Sequence, residues 1–350
     1  MSSLTSEKTE KKSIYSKKLY RNFAEYIVSC QDQEGAIHWE PKGKIDPWDH
    51  TESAMGLDVL GFQKKSILAY QWLKNNQESD GAWFSSYHDK DDDKNKRKET
   101  NFVSYIACGM WHHYLNYKDK NFLKEFWPNL DAAIEFCLSG QTNYGDILWA
   151  KNTQGEWMDD SLLTGCSSIY KSFDCYKAIA REINTEDRIK EDQIEGLRNC
   201  ILNKKDRFDR NWKSKDRYSM DWYYPILCGI IDQASAIKLI QSRWKEFVVD
   251  GLGCKCVQEE PWVTAAESSE LVLGLIRIGM NKEAQEILQN TFNLIDNEDN
   301  LLWTGYVYKD DKFWPVEKPS WTAAAAILAG NAINKFSPSW NFFNQEFFSK

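Results

Sequence analysis

The sequence predicts an all-α protein built as an (α/α)6 toroid, about twelve helices paired into six hairpins and arranged in two concentric rings. Three observations carry that expectation. Apolar residues recur at i, i+3, i+4 and i+7 along most of the 350 residues, short and long connections alternate, and the helices alternate in step between an apolar and a charged type.

The periodicity predicts helices at 13–30, 46–62, 63–76, 99–117, 120–139, 160–182, 184–203, 219–230, 232–244, 262–279, 280–292 and 319–334, and no strand run competes with them. Short joins such as Leu60-Gly61-Phe62, Tyr117 to Lys120 and Ile278 to Asn281 make antiparallel hairpins. Long joins cover 31–46, 78–98, 140–159, 204–218, 245–261 and 293–318. Loops that alternate with hairpin turns in this way emerge on one side of the molecule, and that side is where function is expected. Helices after the long loops are the apolar or small-residue set, as in Trp321-Thr322-Ala323-Ala324-Ala325-Ala326, and form the inner ring. Those after the short turns are charged, as in Lys282-Glu283-Ala284-Gln285-Glu286, and form the outer ring, which the first helix closes beside the last. One domain at 13–350 is expected, behind a polar tail at 1–12.

Composition narrows the function. A formal charge of −8 supplies no basic face for phosphates, so a nucleic-acid partner is not expected. The opening residues hold no apolar signal core and no later run is long enough to span a membrane, which predicts a cytoplasmic location without a membrane partner. Nine scattered cysteines read as free buried thiols; Cys254-x-Cys256 lacks the second pair or histidines of a zinc site, so neither metal nor cofactor is expected. Composition leaves the oligomeric state open.

The loops carry a degenerate repeat: Gln31 to Gly35 to Trp39, Gln77 to Gly81 to Trp83, Gln141 to Gly145 to Trp149, and Asn293 to Trp303. Of 16 tryptophans, 11 lie in the long loops or just inside the following helix, at 39, 48, 83, 149, 157, 212, 222, 262, 303, 314 and 321. Acidic residues recur at the start of the inner helices: Asp49 and Glu52, Glu99, Glu156 with Asp159 and Asp160, Asp221, Glu267 and Glu317. Any one of them is explained by helix capping. Together, beside Trp and Tyr at one mouth, they match carbohydrate chemistry, in which rings cover apolar sugar faces and two carboxyls serve as acid and base. No phosphate loop, Gly-x-Ser-x-Gly elbow or His-Glu-x-x-His motif appears, and His50 is the one histidine at the mouth.

Pro47-Trp48-Asp49-His50-Thr51-Glu52 through Leu57, Trp72 to Gln77 with Asp80-Gly81-Ala82-Trp83, and Glu99 to Tyr114 resemble segments of the glucoamylase-like six-hairpin glycosidases, and the likeness runs in order over most of residues 31–334. It implies an inverting glycoside hydrolase acting on a soluble glycoside or oligosaccharide. Asp49, in the family's sugar-binding position, would hold the substrate with Trp48 and Trp314. The loop matching the family's general acid reads Asp146 to Lys151, so Glu156 or Asp159 takes that role, and Glu317 in Trp314-Pro315-Val316-Glu317 is the candidate base. His50, Glu52, Trp83, Asp221, Trp222, Trp262 and Glu267 complete the expected substrate-binding set. The Gln-Gly-Trp repeats also resemble the terpenoid-cyclase and prenyltransferase toroid, which would present a deep apolar central cavity. The Asp-x-Asp-Asp pattern within Asp89 to Lys94 continues into Asn95 to Lys98 and reads as a solvated loop. A non-catalytic carbohydrate-binding protein is the third reading.

Overall fold

The computed structural model describes residues 12–88 and 96–347. The polar tail, apart from Lys12, and the charged run at 89–94 lie outside the described residues. The helices are α1 (Lys17–Cys30), α2 (Pro47–Val59), α3 (Gln63–Asn75), α4 (Thr100–Ser104), α5 (Ile106–Tyr117), α6 (Lys120–Ser139), α7 (Leu163–Ile183), α8 (Glu191–Asn203), α9 (Ser219–Leu227), α10 (Gln233–Phe247), α11 (Ala265–Arg277), α12 (Asn281–Thr291) and α13 (Ser320–Asn334). Tyr105 keeps right-handed helical angles between α4 and α5, so those two form one interrupted helix and the total among the described residues is the expected twelve.

The inner ring closes. Helix α2 packs on α5, α5 on α7, α7 on α9, α9 on α11, α11 on α13 and α13 back on α2. Helices α3, α6, α8, α10 and α12 each back onto the inner helix before them, and α1 backs onto α13. The sequence dictates this: α2 and α13 are buried around nearly their whole circumference, whereas α1 and α12 bury one stripe. Small residues let the inner helices approach. A Cβ added at Gly56 would stand 3.2 Å from Ala324 on α13.

The repeat in the loops proves to be a joint between neighbouring outer helices. Gln31 Nε2 donates to the carbonyls of Gly35 and of Lys65 on α3. Gln77 does the same to Gly81 and to Asn129 on α6, and Gln141 to Gly145 and to Gln193 on α8. The glycine is required because the loop touches the next helix: at Gly81, with φ +86°, a Cβ would lie 2.3 Å from the Ala132 carbonyl oxygen, and at Gly145 2.2 Å from that of Gly196.

Several boundaries differ from the sequence expectation. Left-handed Asn184 ends α7, and an extended join delays α8 to Glu191. Residues 160–162 remain outside α7, and 262–264 form a strand rather than a helical turn. Short strands, which periodicity cannot register, tie the loops together. Strand β1 (Lys98–Glu99) pairs antiparallel with β2 (Ala150–Lys151), β3 (Val248–Val249) with β4 (Gly253–Cys254), and β5 (Trp262–Thr264) with β6 (Gly305–Val307), which pairs with β7 (Lys312–Phe313). The end of the barrel opposite the long loops is closed by the segment after α13. Buried Lys171 Nζ donates to Asp174 Oδ2 at 2.8 Å and to the Gln345 carbonyl, Arg277 donates to the Phe343 carbonyl, and Ser339 bonds His112 at 2.7 Å.

Candidate active site

The inner helices start at the loop end, so their N-terminal dipoles point into the mouth, and Asp49, Asp221 and Glu267 each occupy a first turn there. Asp46 caps α2 by accepting the Asp49 amide at 2.8 Å. Residues three apart share a helix face, so Asp49 stands one turn above Glu52 on α2 and Glu267 one turn above Glu270 on α11. The lower tier is defined by contacts on the barrel axis. Trp48 stacks on Tyr105 with ring centroids 4.1 Å apart and planes 2° from parallel, lies 6.0 Å from Tyr224, and donates to Glu52 at 3.1 Å. Glu270 accepts the hydroxyls of Tyr223 and Tyr224. Asp49 and Glu267 therefore form the upper tier above an aromatic floor.

Burial raises three of these carboxyls, Asp49, Glu52 and Glu270. It pushes Asp49 well above the ordinary carboxylate range, and the charge of Asp46 and the hydrogen bond shared with it push the same way. Glu52 is raised by burial and then by the charge of Glu270. Burial carries Glu270 from 4.5 to about 7 even though both phenols pull it back. Because the folded state then holds this proton more tightly than the unfolded chain, Glu270 costs no stability below about pH 4.5, costs progressively more as pH rises to about 7, and costs a constant amount above. An uncharged amide escapes that cost. Glu270→Gln is thus expected to match the parent near pH 4.5 and to exceed it by about 2–3 kcal/mol at pH 8 in urea unfolding; an equal difference at both pH values would refute the buried-proton reading.

A cleft of about 650 Å³ opens to solvent at the mouth, lined by Trp39, Asp46, Glu99, Phe102 and Glu317 among others. Burial raises Glu99 despite the guanidinium of Arg97 at 2.7 Å. Glu317, in the same lining, is half-buried and accepts from the Thr304 hydroxyl at 3.2 Å.

The structure does not bring all the expected residues together. Glu156 is exposed in a turn, bonded to Asn152, and Asp159 is exposed and ion-paired to Arg210 at 2.9 Å; neither lines the cleft that holds Glu317, and Asp49 and Glu267 also lie outside that lining, which Asp46, three residues before Asp49, does reach. The buried acids of that loop are Asp146 and Asp160; at Asp146, hydrogen bonds from Arg207, Thr142 and Ser161 outweigh burial and hold the carboxyl below its usual range. His50 accepts the Ile37 amide and donates to the Ala69 carbonyl, each at 3.0 Å; burial lowers its pKa to about 4, and it clamps the wall as a neutral ring. Trp83 and Trp222 are likewise wall residues, their indole N–H groups bonded to the carbonyls of Leu73 and Leu239. Asp221 accepts the Thr164 hydroxyl and amide across α7 and is raised by burial to about 6. Trp262 and Trp314 meet at the rim with centroids 5.1 Å apart. Asp46, Tyr105, Tyr223 and Tyr224 escaped sequence reasoning. Asp46 had a signal, an acidic N-cap immediately before Pro47, whereas the tyrosines are indistinguishable from core residues without the closed ring.

Among the described residues no group of three or more His, Cys, Asp and Glu is arranged to hold a metal, and no helix is long and apolar enough to cross a membrane.

A closed helical toroid carries these carboxyls clustered over an aromatic floor, and comparison with known proteins identifies it as a glycoside hydrolase and shows its family. The chain is 39% identical over 324 residues, 92% of its length and 88% of the relative's, to the MMP endo-(1,4)-3-O-methyl-alpha-D-mannosidase of Mycolicibacterium hassiacum, and it belongs to that enzyme's family. A more distant relative is an uncharacterised glycosyl hydrolase of Methanocaldococcus jannaschii, 21% identical over 247 residues, 65% of this chain and 39% of that protein. No family profile matches the sequence. Solved structures with the same fold include a glycosidase variant (TM-score 0.71, 12% identity, 95% of this chain and 99% of that one) and a D-mannose isomerase (TM-score 0.66, 10% identity, 90% and 97%). The isoprenoid resemblance gains no support, since the cavity on the axis between Glu52 and Glu270 measures only about 10 Å³.

Proposed function

We propose that the chain is an inverting endo-hydrolase of α-(1,4)-linked mannose polymers, including 3-O-methylated ones. The observation that carries this reading is the 39% identity, across 92% of the chain, to an enzyme of that named activity. The solvent-open cleft and its carboxyls are in keeping with it. Asp49 is the general acid: burial and Asp46 keep it protonated, as proton delivery to the departing oxygen requires. Glu267, on a different inner helix in the same upper tier, is the base that activates water. An inverting pair stands about 6.5–9.5 Å apart with water between, and carboxyls on two helices facing one axis suit that spacing better than neighbours on one helix do. Lining of the cleft favours Glu317 as a second reading for the base. Nine unpaired cysteines suit a reducing compartment, in keeping with a cytosolic site of action.

Proton NMR of the first-formed product from an α-(1,4)-linked mannotetraose tests the proposal. The β anomer is expected to appear first and to mutarotate later. First appearance of the α anomer would overturn inversion, and binding without any release of shorter sugars would favour the non-catalytic reading.

A further inference from the structure

The rim of the mouth carries an apolar surface that neither the acid–base chemistry nor the core uses. Of the six large hydrophobic residues exposed among the described residues, three fall within four consecutive positions: Phe313 at 39%, Trp314 at 56% and Val316 at 80%. Phe313 ends β7, and Trp314 and Val316 follow it off the β5-β6-β7 sheet, which is fastened to the site at both ends. Strand β5 runs directly into α11, which carries Glu267, and the chain leaving β7 passes through Trp314 and Val316 to Glu317 in the cleft wall. The row is held from behind. Phe313 stacks on Trp303 at 5.6 Å, and Trp262 donates its indole N–H to the Trp314 carbonyl at 2.8 Å. At Gly305 a Cβ would lie 2.4 Å from Trp262 Nε1, so the strand beneath is tightly packed.

Sugar hydroxyls reward carboxylates and amides. A methyl ether removes the donor and adds apolar surface, so it rewards an aromatic or aliphatic wall. An apolar row continuous with a cleft that mixes charged and polar groups with the rings of Trp39 and Phe102 has the chemistry of a site for O-methyl groups. We infer that Phe313, Trp314 and Val316 form a platform for the 3-O-methyl groups of a methylated α-(1,4)-mannan chain lying across the rim, and that this platform sets the preference for methylated over plain substrate. The inference rests on the mannan-hydrolase reading given above.

The test compares a 3-O-methylated α-(1,4)-mannotetraose with the unmethylated one in two readouts. Binding is measured by calorimetry on Glu267→Gln protein, alone and combined with Trp314→Ala or Val316→Ser, and turnover is measured on the enzyme with Glu267 intact. Each methyl group withdrawn from water is worth about four-fold in affinity, so two on the platform predict a preference of about ten-fold or more. Val316→Ser, on a side chain so exposed that the fold does not depend on it, is expected to reduce the preference about four-fold, and Trp314→Ala to reduce it further. Equal affinity for the two sugars, or a preference that survives both substitutions, overturns the platform. A Val316-dependent preference without turnover of either sugar upholds the platform while sinking the hydrolase reading, and turnover without preference does the reverse.

Discussion

Asp49→Asn is expected to lower kcat on an unactivated α-(1,4)-mannoside by about 10²- to 10⁴-fold, the range that general-acid catalysis usually supplies. The amide preserves the shape of the carboxyl and can still meet Asp46, so the helix cap that Asp46 makes to the Asp49 amide is untouched and the melting temperature should hardly change. What disappears is the transferable proton. Two consequences separate this from a loss of binding. A mannosyl fluoride, whose leaving group needs no proton, should be cleaved by the variant within about ten-fold of the parent rate. The alkaline limb of the parent's kcat/KM profile, set by the raised pKa of Asp49, should flatten in the variant. Equal losses on the fluoride and the glycoside would remove Asp49 from the acid role.

Asp46→Asn provides the internal comparison. Removing that charge leaves burial as the main cause of the Asp49 shift, so the alkaline limb should move to lower pH without vanishing.

How much of this was legible beforehand depended on how local the signal is. Ring alternation was readable because an inner helix such as α13, buried on every side, has a composition that α12 lacks. The position of the mouth followed from loop lengths alone. What could not be read was which way a mouth residue turns. His50 and Glu52 lie two apart on α2, and the backbone hydrogen bonds that commit His50 to the wall come from Ile37 and Ala69, on other elements. Glu156 and Asp159 stand as substitutes because the loop matching the family's general acid, Asp146 to Lys151, holds no glutamate, but the turn at Asn152 and the guanidinium of Arg210 claim them, and neither contact has a sequence signature. Trp83 and Trp222 were expected at the substrate because tryptophans crowd the loops; several of those rings instead seal the joints between the rings of helices. The short strands escaped notice because two or three residues contain no period to detect.

Glu267→Gln is expected to cost as much as Asp49→Asn, but on every substrate, because water activation is needed whatever the leaving group. An inverting mechanism also gives this variant a distinctive rescue. Azide is small, already anionic and needs no base, so it can enter the space vacated by the activated water. It would attack the anomeric carbon from the face opposite the departing oxygen. The bond to that oxygen breaks as the carbon–nitrogen bond forms, and the oxygen takes its proton from Asp49. The product is therefore a β-mannosyl azide from an α-linked substrate, formed at a rate that rises with azide concentration. Glu317→Gln supplies the discriminating control, since its carboxyl lines the cleft and accepts a hydrogen bond from Thr304. If Glu317 only binds sugar, its variant should raise KM and gain nothing from azide. Rescue of Glu317→Gln with no rescue of Glu267→Gln would transfer the base to the rim. An azide of α configuration from either variant would contradict single displacement, because a carbon attacked once from the opposite face must invert.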